Sequence, residues 1–453
     1  MITRVLCHVG PWCKEQFRSI VRGMGHGCQE RFVSGFSGVD ETGLPSRYHT
    51  LLRSEPAKEP MSDEEEDVIT RCRLLRALSS ADALHHLRSM RRAIQEMLDA
   101  EQPDVVLTET IDQFLIDLLR IETLKRGVPF VGLVGSFVNG YFRISSRGEL
   151  VTVRQVSDDE TAAVLNRLRR NDYLPQNLES IRRKIIRRYL YVWLANIIKP
   201  PYFRIKRLLS DTPYNYHYWS TEVVSRAVSR HWIPSLFTGD ENWREKSRAS
   251  GRRVVFVPLQ HCNEATIDYW CSNIEVIDYQ RVLLEVLRQL SLNFSVIVKE
   301  HPGVLGFRRP DVYREMRSIP NVVLVPTTCR AQECIEASEA VLVWTGSVGF
   351  EAALRGKPVL CLGKPYFASG PMFRDISSTL TDEDLAFVEE VQQQSLSDQQ
   401  AMNMVRHVLG GMYAGRFQND GTFNPQRQTD VADAIEVGMC VRSYINTHQA
   451  ELS

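Results

Sequence analysis

Five short apolar runs in the second half of the chain constrain the fold more than any other feature. Each is only four or five residues long, is rich in Val, and is separated from the next by a helical or polar stretch. Runs of this length and composition are typical of strands that are buried on both faces of a parallel sheet. The sequence therefore predicts an α/β domain whose strands are Val254–Val257, Phe294–Val298, Val322–Val325, Ala340–Trp344 and Val359–Leu362.

Polar loops follow three of these predicted strands. The first strand is followed by 258–264 (PLQHCNE), the second by 299–303 (KEHPG), and the fourth by 345–347 (TGS). Because the carboxyl ends of parallel strands lie along one edge of the sheet, these loops are expected to meet at one crevice. That crevice is the predicted ligand site of this domain.

The turn after the fourth strand has the composition of an anion site. Thr345, Gly346 and Ser347 are small, and a helix is predicted to begin at Val348. Unpaired N–H groups and the helix dipole favour negative charge there, so the turn is a candidate for binding phosphate. Glu351 lies one turn into the helix and could reach a ribose hydroxyl of the same nucleotide. The alternative is an ordinary β–turn–α unit that only builds the sheet.

The first half of the chain predicts a second parallel sheet. A strand over Val5–Val9 places His8 at its carboxyl end, and Val105–Thr108 is predicted to be followed by Glu109, a helix and another strand. Glu109 is a candidate for acid–base catalysis, with helix capping as the alternative. His8 is a candidate contact for an acceptor substrate, and the alternative is a packing residue. Arg143, in a predicted loop over 135–147, is a candidate contact for an acidic acceptor or a solvated side chain.

The segment 178–210 is strongly basic and amphipathic. It holds nine Lys and Arg residues against one acid, with apolar residues at spacings of three and four. This pattern is typical of a helix on an anionic membrane surface, and a core-facing helix with a basic outer face is the alternative. Pro200-Pro201 is predicted to end the helix. The segment lacks the aromatic–basic motifs of nucleic-acid readers, so no nucleic-acid partner is expected.

Composition narrows the function class. The 453 residues carry a formal net charge of +0, which gives no global attraction for nucleic acid. Ten scattered Cys residues form no zinc-like spacing, so we expect free thiols in a reducing compartment, no metal and no bound cofactor. The absence of an Asp-x-Asp motif after a strand favours a metal-independent reaction. No leader precedes the first strand, and no apolar run approaches the ~20 residues that span a bilayer, so a cytoplasmic protein is expected.

The same features predict the domain organisation. An N-terminal Rossmann-like domain covers 1–235 and carries the basic segment 178–210 as an insertion. A linker over 236–251 leads to a C-terminal domain over 252–428, and a terminal helix occupies 429–453.

Several motifs together resemble those of a known family. TGSVGFEA at 345–352 is followed by GKPV at 356–359 and GKPYF at 363–367, and KEHP lies upstream at 299–302. This string is similar to the capsule polysaccharide biosynthesis family of bacterial glycosyltransferases, which includes enzymes that transfer the acidic sugar Kdo from CMP-Kdo. The family often has Gln-Pro, or Gln followed by a small polar run, where this chain has Gln260-His261-Cys262-Asn263, which is a departure.

The resemblance implies a GT-B-like fold, in which two Rossmann-like domains with parallel sheets face a central cleft and the terminal helix packs back on the first domain. It implies transfer of a sugar from a nucleotide sugar, with CMP-Kdo as the expected donor, to a glycan or glycolipid acceptor. Membrane contact through the segment 178–210 would place the protein peripherally on the inner face of the bacterial inner membrane. A nucleotide-sugar 2-epimerase of the same fold and a non-catalytic scaffold of a membrane-associated complex are the alternatives.

The expected roles follow from what the departing phosphate of a nucleotide sugar requires. Lys299 and His301 are expected to supply positive charge or hydrogen bonds to the phosphate, and His301 is a candidate catalytic residue. Gln260 and Asn263 are expected to contact the donor sugar or the nucleotide. Lys364 is expected to close the pocket over the nucleotide.

Overall fold

The computed structural model describes the chain except for residues 1, 56–58, 171, 175–184, 210–217, 224–238, 262–263, 302–307, 309, 393–394, 419–420 and 453. The chain forms two compact units. The first unit contains 1–153, 198–226 and 411–453, and the second contains 154–197 and 227–410.

The first unit is built on a six-stranded sheet with the strand order β12-β5-β4-β3-β1-β2. The four strands β1 to β4 are mutually parallel, whereas β5 and β12 pair antiparallel at one edge. Cys7 at the centre of β1 pairs with Phe32 on one side and with Leu107 on the other, so the first strand lies inside the sheet. The strands are β1 Arg4–His8, β2 Gln29–Val33, β3 Val105–Glu109, β4 Phe130–Gly135, β5 Tyr141–Ile144 and β12 Tyr413–Ala414.

The second unit is built on a six-stranded sheet with the order β11-β10-β9-β6-β7-β8, in which all strands are parallel. Five of its strands, β6 to β10, are nearly fully buried, which is why their sequences are continuous apolar runs. The strands are β6 Val254–Pro258, β7 Ser295–Lys299, β8 Val322–Val325, β9 Ala340–Val343, β10 Val359–Cys361 and β11 Phe373–Asp375. The prediction of two Rossmann-like α/β domains with parallel sheets is confirmed, and their arrangement across a central cleft stays a prediction.

Helices cover both sheets. In the order of the chain they are α1 Lys14–Met24, α2 Leu44–Leu52, α3 Asp63–Arg71, α4 Arg73–Arg76, α5 Ser80–Glu101, α6 Phe114–Leu124, α7 Asp158–Leu168, α8 Ile185–Leu208, α9 Trp243–Arg248, α10 Ala265–Asp268, α11 Tyr279–Asn293, α12 Pro310–Ser318, α13 Ala331–Ala337, α14 Val348–Ala353, α15 Asp382–Gln392, α16 Asp398–Gly410 and α17 Gln428–Leu452. No helix in the described ranges is both long enough and apolar enough to cross a bilayer.

The last helix packs closely on the first one. A Cβ atom at Gly438 of α17 would lie 1.9 Å from the carbonyl oxygen of Ile20 in α1, and a Cβ atom at Gly23 would lie 2.1 Å from that of Ile435. The two glycines therefore permit a backbone approach that any side chain would block. Through this contact α17 belongs to the first unit.

The predicted domain boundaries differ from the two units in two places. Residues 411–453 return to the first unit, because β12 pairs with β5 and α17 packs on α1. Residues 154–197 fall in the second unit, where Arg169 forms an ion pair with Asp398 at 2.8 Å. The predicted insertion at 178–210 is thereby divided between the units.

Three local predictions were wrong. The predicted loop over 135–147 contains β5, whose polar Tyr and Arg positions concealed a strand. The predicted linker over 236–251 contains α9, which is anchored by the buried side chains of Trp243 and Ser247, four residues apart. Pro200-Pro201 does not end its helix, because α8 runs on to Leu208. The fixed φ of proline is compatible with helical backbone, and the loss of two N–H donors costs helix stability without ending the helix.

Candidate functional site

The second sheet has a topological switch point between β6 and β9. The chain proceeds from β6 through β7 to β8 on one side and from β9 through β10 to β11 on the other. In open α/β sheets the loops diverge at the carboxyl ends of such a strand pair and leave a crevice in which ligands bind. Gln260 follows β6 and Thr345 follows β9, so these residues flank the crevice.

Gln260 and Thr345 connect the two loops. The Gln260 Nε2 atom donates to Thr345 Oγ1 at 2.6 Å and to Thr266 Oγ1 at 2.8 Å. The backbone N–H of Thr345 donates to Gln260 Oε1 at 3.1 Å, and Thr345 Oγ1 donates to the carbonyl of Thr266 at 3.0 Å. Both side chains are buried. The carboxamide of Gln260 therefore fixes the start of the 345–347 turn. Its predicted contact with the donor sugar or the nucleotide stays a prediction.

The turn leads directly into α14. Ser347 is half-buried, and its side chain makes no capping hydrogen bond to the helix. A Cβ atom at Gly349 would lie 2.9 Å from Val343 and 3.2 Å from Val359, so the helix start sits close to β9 and β10. Because α14 has only six residues, an anion at this turn would be held by the local N–H groups near Gly346 and Ser347 more than by a helix dipole; anion binding here stays a prediction.

Glu351 lies buried one turn into α14. Gln332 of α13 donates its Nε2 hydrogen to Glu351 Oε2 at 3.1 Å. Burial raises the pKa of Glu351 to about 7, and the charge of Arg355 and the bond from Gln332 offset only part of that rise. The predicted ribose contact stays a prediction, and in this structure the carboxyl group is bonded to Gln332.

The loop after β7 contains a buried ion pair that the sequence reasoning missed. Glu300 accepts hydrogen bonds from Arg308 Nε at 2.7 Å and Nη2 at 3.2 Å, from the hydroxyl of Tyr313, and from the backbone N–H of His301 at 2.8 Å. Burial raises the pKa of this carboxyl, but the Arg308 charge and these bonds outweigh it, so the pKa is lowered overall. Glu300 is therefore ionised at neutral pH.

Arg308 extends this ion pair to the neighbouring loop. Its Nη2 atom also donates to the carbonyl of Gln260 at 2.9 Å, and its guanidinium lies over the ring of Tyr279 at 5.2 Å. The loops after β6 and β7 are thus held by one fully buried arginine. The sequence contained a sign of this ion pair. Glu300 directly follows a predicted buried strand, and a carboxylate buried there requires a hydrogen-bonded or charged partner.

Lys299 and His301 lie on either side of Glu300. The Lys299 side chain is buried, and its Nζ atom donates to the carbonyl of Glu300 at 3.2 Å. His301 is half-buried, and its ring centroid lies 6.4 Å from that of His261 in the loop after β6. The structure therefore brings Lys299, His301, Gln260 and the 345–347 turn to adjacent strand ends.

The two other predicted contacts with the sugar donor or nucleotide are Asn263 and Lys364. Asn263 falls outside the described residues. Lys364, at the carboxyl end of β10, is exposed and adopts a left-handed backbone conformation with φ of 51°. Its predicted closing of the pocket stays a prediction.

The first sheet has its own switch point, between β1 and β3. The chain passes from β1 to β2 on one side and returns to β3 on the other. Glu109 ends β3, and Cys13 follows β1, with 3.9 Å between Glu109 Oε2 and Cys13 Sγ. His8 is the last residue of β1 and Thr108 is next to last in β3, and they make a weak contact of 3.4 Å between Nδ1 and Oγ1. The structure brings Glu109 and His8 to this second crevice.

Glu109 combines a largely buried carboxyl group with a raised pKa. Part of the residue is exposed, but its Oε1 atom is closed to solvent and has no hydrogen-bond partner in the part of the chain that the structure describes. Burial and then the charge of Asp112 raise the pKa of Glu109 to about 8, and hydrogen bonds from Trp12 and Cys13 offset only part of that rise. The group is therefore mostly protonated at pH 7. His8, in contrast, is uncharged there, because burial lowers its pKa to about 4.

Arg143 is placed apart from these residues. It lies on β5, two strands from β3, and is 1% exposed. Its Nη1 atom donates to the carbonyl of Glu149 at 2.9 Å. Its role as an acceptor contact stays a prediction, which would require the side chain to leave its buried position.

The described residues contain no group of three or more His, Cys, Asp or Glu side chains that could hold a metal ion. The polar groups that the structure describes at the two switch points include amides, hydroxyls, Lys299, Arg308, His301 and Glu109. Such groups can bind anions and transfer protons.

Part of the chain, including the crevice of the second unit, is similar to a known protein family. Residues 202–407 match the family described as "Capsule polysaccharide biosynthesis protein". The match covers less than half of the chain and includes the crevice residues of the second unit, but not Glu109 or His8. The resemblance predicted from the sequence is confirmed over these residues.

Particular relatives fit the same class. The chain is 27% identical over 154 residues to the capsule polysaccharide modification protein LipA of Neisseria meningitidis serogroup B, and 28% identical over 162 residues to that of serogroup A. Each match covers 34% of this chain and 21% of the relative, so the chain spans about a fifth of the length of these relatives.

Solved structures of two kinds are also similar. One is KpsC, a beta Kdo 2,7 transferase of Thermosulfurimonas dismutans, at 13% identity and a TM-score of 0.37, with 97% of this chain and 99% of that chain covered. Another is the UDP-GlcNAc 2-epimerase of Neisseria meningitidis, at 11% identity and a TM-score of 0.27, with 98% and 100% covered.

Proposed function

We propose that the chain is a metal-independent glycosyltransferase of bacterial surface polysaccharide synthesis. It binds a nucleotide sugar at the β6–β9 switch point of the second unit and transfers the sugar to a glycan or glycolipid acceptor. CMP-Kdo is the proposed donor, following the resemblance carried by the motifs at 299–302 and 345–367. The observation that carries the proposal is that Lys299, His301 and the 345–347 turn lie at the carboxyl ends of β7 and β9, the two strands that flank β6.

The proposed chemistry follows from the charge of the leaving nucleotide. As the bond to the sugar breaks, negative charge grows on the phosphate, and donors that are already in place stabilise that charge. Lys299 supplies a cation, His301 supplies an imidazole, and Gly346 and Ser347 supply backbone amides and a hydroxyl. Removing one such donor reduces kcat by about 10²–10³-fold in comparable sites.

Two buried residues position this set. Gln260 holds the 345–347 turn through both ends of its carboxamide. Glu300 fixes the backbone N–H of His301 and is itself fixed by Arg308. We assign both residues to positioning, because their polar side-chain atoms already bond to other protein groups.

Glu109 is the proposed group for proton transfer. An acceptor hydroxyl must lose a proton when it attacks the sugar, and a carboxylate can take that proton. Because its pKa is raised to about 8, ionised Glu109 is a stronger base than an ordinary carboxylate, but a smaller fraction of it is ionised at pH 7.

The activity is tested by product analysis. The purified chain is incubated with CMP-Kdo and a bacterial glycolipid extract, and release of CMP and the mass of the lipid products are followed. The proposal predicts CMP release that depends on the extract, together with lipid products heavier by one sugar residue. Conversion of a nucleotide sugar without any acceptor would indicate the epimerase instead, and no turnover of any nucleotide sugar would overturn the assignment.

A further inference from the structure

Helix α8 exposes a continuous apolar face. Among residues that the structure describes, eight of the large apolar side chains left exposed lie between Tyr191 and Leu209, while the other five are scattered over the chain. Positions 191, 194, 198, 202, 205 and 209 recur at spacings of three or four, which places them on one side of a helix. Tyr191 is 73% exposed, Ile198 52%, Ile205 56% and Leu209 79%.

The opposite side of the same helix is already occupied. Phe203 packs against Tyr218 with 5.8 Å between the ring centroids, and Arg207 forms an ion pair with Glu222 at 3.2 Å. Pro200 lies buried on this inner side. Over residues 200–207 the helix therefore packs on the first unit by one face, and its apolar exposure belongs to the other face.

Cationic side chains border the exposed face. Lys199 and Lys206, seven residues apart, lie along one flank, and Arg204 lies on the other. The Lys206 Nζ atom sits 5.7 Å from the centre of the Tyr202 ring, so its alkyl stem lies along apolar surface while its charge remains outside. Helix α8 contains no Asp or Glu residue over its whole length.

We propose that this face of α8 docks the protein on a bilayer surface that contains anionic lipids. An apolar arc between cationic borders matches the acyl–headgroup boundary, where apolar side chains enter the acyl region and lysines reach lipid phosphates. A second copy of the chain fits less well, because two such faces would bring their cationic borders together. The inference rests on exposure and charge alone and does not depend on the proposed transferase activity.

Vesicle co-sedimentation tests this proposal. The full chain is mixed with vesicles of phosphatidylethanolamine and phosphatidylglycerol at a ratio of 7:3, and separately with vesicles of phosphatidylcholine alone. The proposal predicts at least tenfold tighter binding to the anionic vesicles, and a loss of at least tenfold in the Ile198→Glu/Ile205→Glu variant. The Lys199→Glu/Lys206→Glu variant is predicted to lose the preference for anionic vesicles.

A matched control separates docking from general surface effects. Leu292 is also a large apolar residue, 72% exposed, and it belongs to a different helix, α11. Leu292→Glu is predicted to bind vesicles like the unsubstituted chain, and the melting temperatures of all variants confirm folding. Equal binding by the Ile198→Glu/Ile205→Glu variant and the unsubstituted chain would overturn the proposal. A dimer that this variant abolishes, without vesicle binding by the unsubstituted chain, would also overturn it.

Discussion

At the scale of single residues, one buried carboxyl stays protonated at neutral pH and another stays ionised. Glu109 has little to compensate its burial, so its pKa rises to about 8. Glu300 is also buried, but Arg308, Tyr313 and the backbone N–H of His301 lower its pKa. The difference in environment, and not in residue type, supports the proposed roles of Glu109 in proton transfer and of Glu300 in positioning.

The pH profile tests the assignment of Glu109. Because the base form appears as the pH passes about 8, kcat/KM of the proposed transfer is expected to rise up to that pH and then level. Glu109→Gln is expected to lower kcat/KM by about 10²–10⁴-fold and to remove the rise. A Gln variant with an unchanged profile would contradict the role.

The same shift has a consequence for stability. The folded state holds a proton on Glu109 that the unfolded state releases near pH 4.5, so between this pH and about 8 the folded state loses stability as pH rises. The slope from this group is at most about 1.4 kcal/mol per pH unit. The test is urea unfolding of the unsubstituted chain and of Glu109→Gln at pH 5 and pH 8. The free energy of unfolding of the variant, relative to that of the unsubstituted chain, is expected to be higher at pH 8 than at pH 5. A parallel pH dependence in both proteins would contradict the raised pKa.

The Glu300–Arg308 pair gives a further prediction at this scale. Glu300→Gln leaves a buried guanidinium without its charge partner, which is expected to cost about 3–5 kcal/mol in urea unfolding. The control is Glu383→Gln, which removes the exposed partner of Arg374 and should change stability by less than about 1 kcal/mol. Equal effects of both substitutions would show that the buried pair does not hold the loop.

At the scale of elements, the second sheet was largely predictable. Strands β6 to β10 are buried on both faces, so each leaves a continuous apolar run, and the observed bounds fall within one or two residues of the predicted ones. Strand β5 was missed because Tyr141 and Arg143 interrupt its apolar pattern, and β11 because it is short, partly exposed and contains Arg and Asp. The capping of α3 by Ser62, which pairs with Glu65, could be read from local sequence alone.

Contacts between distant parts of the chain were less accessible to sequence reasoning. The polar loops at strand ends could be predicted because parallel topology gathers them at one edge. The bonds of Gln260 to Thr345 and of Glu300 to Arg308 depend on loop conformation, which no periodicity encodes. The sequence therefore indicated where the site lies, but it did not indicate which of its polar groups are used for support.

The packing of α17 on α1 provides a prediction at this scale. Gly438→Ala places a Cβ atom against the backbone oxygen of Ile20 and is expected to destabilise the first unit by about 1–3 kcal/mol, although Ala is the better helix former. Gly27→Ala is the control, since a Cβ atom there meets nothing within 4 Å. Thermal unfolding of both variants measures the difference, and an unchanged or raised Tm for Gly438→Ala would contradict the close approach.

At the scale of the whole molecule, each of the two units carries a switch-point crevice of its own. The family match covers the crevice of the second unit, where the phosphate-binding groups are proposed, and stops short of Glu109. Binding of the nucleotide sugar is therefore proposed for the second unit on the basis of motif and geometry. Proton transfer is proposed for the first unit on the basis of geometry alone.

Calorimetric titration with CMP, UDP and GDP tests the central claim most directly, using the unsubstituted chain, His301→Ala and His407→Ala. His407 is an exposed histidine on α16 of the same unit and serves as the matched control. CMP is expected to bind the unsubstituted chain and His407→Ala alike, and to bind His301→Ala at least tenfold more weakly. Absence of binding by all three nucleotides, or equal CMP affinity in all three proteins, would contradict a nucleotide site at the β6–β9 switch point.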